Sequence, residues 1–158
     1  MDQLSLANPV FATYAIAAAL MVLKIMVQGW ITVARMMATN GGMVNPEDAK
    51  AGPANPKPRP GQLDLNEDVE RSRRIHRNDL ENIPAFLAIG LLFVLIGPSL
   101  VVAQWLLYGF VAARLLYTLA YSTAQSHEVR AIFYSIGSLI VIAMAVWVLA
   151  VAIPLVLG

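Results

Sequence analysis

Asp68-Val69-Glu70-Arg71-Ser72-Arg73-Arg74-Ile75-His76-Arg77-Asn78-Asp79-Leu80-Glu81-Asn82 runs directly into the apolar segment Ile83-Pro84-Ala85-Phe86-Leu87-Ala88-Ile89. A helix written this way starts in water and enters a membrane near Ile83, and charge at that entrance is costly unless it is paired or used. Arg74, Asn78 and Glu81 stand at i, i+4 and i+7 and share one helix face, which Glu70 and Glu67 continue one and two turns earlier. A structural reading is available, because Glu67 to Arg71, Glu70 to Arg74 and Arg77 to Glu81 are mixed-sign i,i+4 pairs. Such pairs are worth only about 0.2–0.5 kcal/mol each on an exposed helix, too little to explain so much charge at a membrane boundary.

The rest of the chain agrees with a membrane setting. Of 158 residues, 58% are hydrophobic and 13% charged, where an ordinary soluble domain is about 25% charged. Apolar stretches cover roughly Pro9 to Ala34, Ile83 to Gly97, Ser99 to Tyr121 and Val129 to Leu157. Each, alone or with its helical extension, spans a hydrocarbon layer of ~30 Å. The expected fold class is all-α: one integral membrane four-helix bundle, with residues 1–158 forming a single domain. The first stretch makes a poor signal peptide, since Asp2 rather than a cation precedes it and it is too long; it is expected to stay as a mature membrane helix. A net charge of +1 with no basic tail gives no support for nucleic-acid binding. With no cysteine, any thiol chemistry must use a thiol brought from outside.

Lys50, Lys57, Arg59, Arg71, Arg73, Arg74 and Arg77 lie between the first and second spans, with Arg35 at the edge, and Arg130 lies between the third and fourth. The positive-inside rule places both connections in the cytoplasm and both termini outside. Gly52-Pro53-Ala54-Asn55-Pro56-Lys57-Pro58-Arg59-Pro60-Gly61 cannot be helical and reads as an extended loop. Asn66 is expected to cap the second helix, ahead of Glu67 and Asp68 in its first turn, and Pro84 to kink it. Asn45-Pro46-Glu47-Asp48-Ala49 reads as a helix or turn start.

Several polar residues lie within or beside spans. Arg114, Tyr117, Thr118 and Tyr121 form one seam at i, i+3, i+4 and i+7. Two readings stand: Arg114 pairs with Glu81 or Glu70 while the tyrosines anchor at the interface, or the seam serves function. Lys24, one turn before Gln28, is expected to form an internal ion pair rather than to snorkel or to take a direct catalytic role. Arg130 follows the expected N-cap Ser126. With the free amides of that helix end it makes an anion or thiolate site, or else it touches lipid phosphate. His76 and His127 lack partners at metal-ligand spacing, and neither a Gly-rich phosphate loop nor a nucleophile elbow is present.

Taken together, Glu70-Arg71, Arg74, His76-Arg77-Asn78-Asp79 and Glu81, preceded by Asn45-Pro46-Glu47-Asp48-Ala49 and followed by Arg114, Thr118, Tyr121 and Arg130, resemble the MAPEG family, the membrane-associated proteins of eicosanoid and glutathione metabolism. The likeness spans nearly the whole chain and is strongest to the glutathione transferase and prostaglandin E synthase branches. It implies a homotrimer binding glutathione between neighbouring subunits near the cytoplasmic side, in the endoplasmic reticulum of a eukaryote or the inner membrane of a bacterium. Arg74, Asn78 and Glu81 would contact the peptide, with His76 and Arg77 in support. Tyr117 and Tyr121 would face the peptide, Arg114 belongs to the same seam, and Arg35 corresponds to an arginine near the end of helix one. Arg130 matches the arginine that stabilises the thiolate, and Asp48 an aspartate assisting catalysis in some prostaglandin synthases. Where those synthases carry a serine after the arginine, this chain has Ala131, which excludes a serine-assisted thiol. The implied activity is glutathione transfer to lipophilic electrophiles, with reduction of hydroperoxides beside it. The alternatives are a prostaglandin-E-type isomerase and a non-catalytic membrane scaffold of the same fold.

Overall fold

A computed structural model describes residues 3–158; Asp2, the charge expected ahead of the first span, lies outside them. Four helices follow in order: α1 (Pro9–Thr39), α2 (Glu67–Leu95), α3 (Leu100–Ser122) and α4 (His127–Leu157). All four are long and apolar enough to cross a membrane. The chain is an all-α, four-helix integral membrane protein, as its apolar pattern indicates. Side-chain caps start every helix, as expected at Asn66, which accepts from the Asp68 and Val69 amides, and at Ser126, which accepts from Val129. Asn8 and Ser99 do the same for α1 and α3. Helix α2 runs unbroken through Pro84.

α1 extends past the expected end at Ala34 because its polar turn continues to Thr39. There Asn40 turns left-handed, at φ 45°, and the Arg59 guanidinium donates to the Thr39 and Asn40 carbonyls at 2.8 Å. The connection from 40 to 66 is not simply extended. Its centre is the buried Gln62, whose amide exchanges hydrogen bonds with Asn55 and also donates to Asn40. Asn45 to Ala49 forms a turn, closed from the Asp48 amide to the Asn45 carbonyl at 3.0 Å.

α2 and α3 are central; α1 packs on both, α4 packs on both, and α1 and α4 do not meet. In lipid the association of helices rests on close packing rather than on escape from water. Accordingly Phe86 and Phe110 stack face to face at 4.0 Å, and Phe93 meets Trp147 edge-on at 5.6 Å. Tyr14 crosses α2 at Gly90 and donates to the Leu87 carbonyl at 2.8 Å. α4 buries only Gly137 and Met144, so most of its apolar surface faces outward.

Candidate functional site

The buried face of α2 carries Ser72, Ile75, Asp79, Ile83, Phe86 and Gly90, spaced by three or four residues. Asp79 is the ion on that face. Lys24 of α1 pairs with its Oδ2, and Arg114 of α3 donates from Nη2 to its Oδ1 at 2.7 Å; both the acid and the arginine are fully buried. The same Nη2 donates to Asn78 Oδ1 at 2.7 Å. A turn away, Gln28 donates to Ser72 Oγ at 2.9 Å, and Thr32 and Ser72 share a hydrogen bond at 2.8 Å. The internal ion pair expected of Lys24 is present. The partners expected of Arg114 are not: Glu81 is exposed and Glu70 pairs with Arg73. Glu81 lies two residues beyond Asp79, roughly 200° around the helix, and so points away from α3. Two cations meet one carboxylate here, and Arg114 Nε and Nη1, although buried, have no hydrogen-bond partner among the described residues.

From this centre a stack leads to the end of the bundle. The Arg114 guanidinium carbon lies 4.7 Å from the Tyr117 ring centroid. The Tyr117 and Tyr121 rings are 5.3 Å apart, and the Arg130 guanidinium carbon lies 4.5 Å from the Tyr121 centroid. Cation–π contacts of this kind contribute about 0.5–2 kcal/mol each. Arg130 also donates from Nε to the Ser126 carbonyl at 3.3 Å, so it is folded onto its own helix start and onto α3 rather than spread into lipid. Arg71 donates to the Tyr121 carbonyl at 3.4 Å, and Arg74 pairs with Glu67, with Tyr121 beside it. The ion pairs on α2 therefore run from Glu70 to Arg73 and from Glu67 to Arg74, not through the i,i+4 spacings.

The structure brings Arg74, Tyr117, Tyr121 and Arg130 into one cluster. Asn78 joins it through Arg114, while Arg77 and Glu81 stand exposed on the outer face. Thr118 turns its hydroxyl back to the Arg114 carbonyl. His76 instead lies against α1 at Gly29. Arg35 donates to the Asp68 carbonyl at 2.9 Å, tying α1 to the start of α2. Asp48 lines a hollow of about 650 Å³ between the connection and the outer face of α1, with Val33, Met36, Met37, Met43 and Lys50. A single chain does not place Arg35 and Asp48 beside Arg130, because α1 and α4 occupy opposite edges.

Asp79 was not among the residues expected from sequence to serve the site. Its signal was the heptad-like run from Ser72 to Phe86, which marks it as the acid on the packed face. Chemically, an exposed carboxylate at Glu81 on the helix face of Arg74 and Arg77 suits the amine of a small ligand whose carboxylates meet the arginines.

A four-helix membrane bundle with this polar seam defines a class of protein. The MAPEG family matches residues 14–150, and the chain belongs to that family. It is 37% identical over 138 residues to microsomal glutathione S-transferase 1 of Rattus norvegicus, covering 87% of this chain and 88% of that one. The human protein of the same name is 36% identical over 138 residues, covering 87% and 88%. Human prostaglandin E synthase is 30% identical over 148 residues, covering 92% of each chain.

Proposed function

We propose that this protein is a membrane glutathione transferase, its whole length acting as one catalytic unit of a homotrimer. The observation that carries this reading is Arg130 seated over Tyr121 beside Arg74, a cation held where a ligand at the helix ends meets it. Arg74, Asn78, Glu81 and Arg77 bind the charged ends of glutathione, and Arg130 stabilises its sulfur as thiolate. A free thiol has a pKa of about 8.5, and each unit of lowering requires about 1.4 kcal/mol of preferential thiolate binding. The sulfur then attacks a lipophilic electrophile delivered from the bilayer, and a halide or similar group departs with the bonding electrons. With a hydroperoxide, two glutathiones become one disulfide and the peroxide becomes an alcohol and water.

The separation of α1 from α4 supports a cleft built from two copies, one supplying Arg130 and the other Arg35 and Asp48. The apolar, uncovered surface of α4 is available for that contact. The charge distribution supports a cleft on the cytoplasmic side.

Prostaglandin-E-type isomerisation is the second reading, favoured by the likeness to prostaglandin E synthase; Ala131 disfavours it. The deciding experiment adds glutathione to the detergent-solubilised protein and follows the ultraviolet thiolate band, then aryl-halide conjugation. A thiolate band with conjugation is expected; binding with no thiolate would leave a scaffold and overturn the proposal. Coexpression of Arg130→Ala with Arg35→Ala tests the shared cleft: activity above that of either variant alone is expected, and none would place the site within one chain.

A further inference from the structure

The buried ions of the bundle lie away from the proposed sulfur but are joined to it. Among the described residues Asp79 is the carboxylate at their centre, and it faces Lys24 from α1 and Arg114 from α3; on α4, Gly137 lies against the Arg114 stem. Of the three guanidinium nitrogens of Arg114, Nη2 alone is hydrogen-bonded among the described residues, and it is held by Asp79 and Asn78 together. The plane of that guanidinium is therefore set by two oxygens from adjacent residues of α2. Lying 4.7 Å from the Tyr117 centroid, it sets the ring, which contacts Tyr121, which seats Arg130.

We infer that Asp79 is a positioning residue for the site, fixing Arg130 through the stack Arg114, Tyr117 and Tyr121, and fixing Asn78 through the shared guanidinium. This rests on the reading of Arg130 as the thiolate's partner. The chemistry of Asp79 matters as well as its place. A charge-assisted bond is roughly twice as strong as a neutral one, so asparagine at 79 offers Arg114 the same oxygen with a weaker hold. Loss of the carboxylate also leaves Lys24 and Arg114 facing each other without a counter-ion. Arg114 is then free to turn its unpartnered nitrogens toward other acceptors, and the ring it supports turns with it.

The test compares wild type, Asp79→Asn and Asp79→Glu by titrating the thiolate band of bound glutathione against pH, alongside calorimetry with glutathione. Asp79→Asn is expected to raise the thiol pKa by about one unit, a tenfold loss of thiolate below it. Measured below the pKa of the bound thiol, where ionisation does not contribute, glutathione affinity should fall by less than the tenfold lost in thiolate, since Asp79 does not reach the peptide and acts on it only through Asn78. Asp79→Glu should recover most of the shift. An unmoved thiol pKa in Asp79→Asn, whatever its stability, overturns the inference. A wild-type protein that binds glutathione without lowering its thiol pKa overturns instead the function on which the inference rests. Where Asp79→Asn does not fold, the pair Lys24→Met with Asp79→Asn keeps the net buried charge of wild type, and the same shift or its absence decides.

Discussion

Arg130 of α4 and Tyr121 of α3 meet face on, with the guanidinium carbon 4.5 Å from the ring centroid. The contact holds the cation in place before any ligand arrives. In Arg130→Ala, aryl-halide conjugation should fall by about 10- to 100-fold near neutral pH, as expected for losing one or two units of thiol acidification. The sign follows from charge: removing the cation raises the thiol pKa, so the deficit is greatest at low pH and closes as pH rises past about 8.5. A rate deficit that stays constant with pH would remove Arg130 from thiol ionisation.

Among the described residues Glu81 is exposed with no ion-pair partner, and Arg74, half-exposed, is held by Glu67 with Tyr121 beside it, so both can be reached by a charged peptide. Glu81→Gln or Arg74→Ala should weaken glutathione binding about tenfold, the order of one charge-assisted hydrogen bond. Calorimetry giving unchanged affinity in both would displace the peptide from this face.

Gly90 lies under Tyr14, and a Cβ there would stand 3.0 Å from the ring. Gly90→Val should therefore destabilise the bundle by about 1–3 kcal/mol through overpacking. Thermal unfolding in detergent reads this, and an unchanged midpoint would mean that Tyr14 swings aside at no cost.

Gln62 is buried with its amide bonded to Asn55 and Asn40. Gln62→Ala removes the hydrogen bonds that Gln62 makes with the Asn55 and Asn40 side chains, leaving the Asn55 side chain with the Asp48 carbonyl alone, at about 1–3 kcal/mol. The segment from 40 to 66 should then be cut by protease several-fold faster, while α2 to α4 remain intact; equal cutting rates would show the network to be dispensable.

Apolar length and cap chemistry are local properties, and they made the four spans, Asn66 and Ser126 readable from sequence. The ion pair of Lys24 was readable as a necessity, since a cation inside a span needs a partner. The partner itself was harder to find. Among the charges from 68 to 82 the eye follows the Arg74, Asn78 and Glu81 stripe, whereas Asp79 belongs to the opposite, packed face that only the spacing of Ser72, Ile75, Ile83 and Phe86 reveals. Which carboxylate Arg114 would choose depended on how α3 is rotated against α2, and no local rule fixes that. The order within the 40 to 66 connection was hidden for the same reason, because Gln62 finds Asn55 and Asn40 only after the chain has turned back.

The bond between Asp79 and Arg114 joins two consecutive arms of a helical hairpin whose bend is Gly97-Pro98. During biogenesis, either arm entering lipid by itself would carry an unneutralised ion, at about 2.5–3.5 kcal/mol. The arms are cheapest to release from the insertion machinery as a closed pair. A ribosome stalled after α2 but before Arg114 would leave Asp79 with Lys24 of α1 alone as its counter-ion, and the arginine's emergence would add the second hold on that arm.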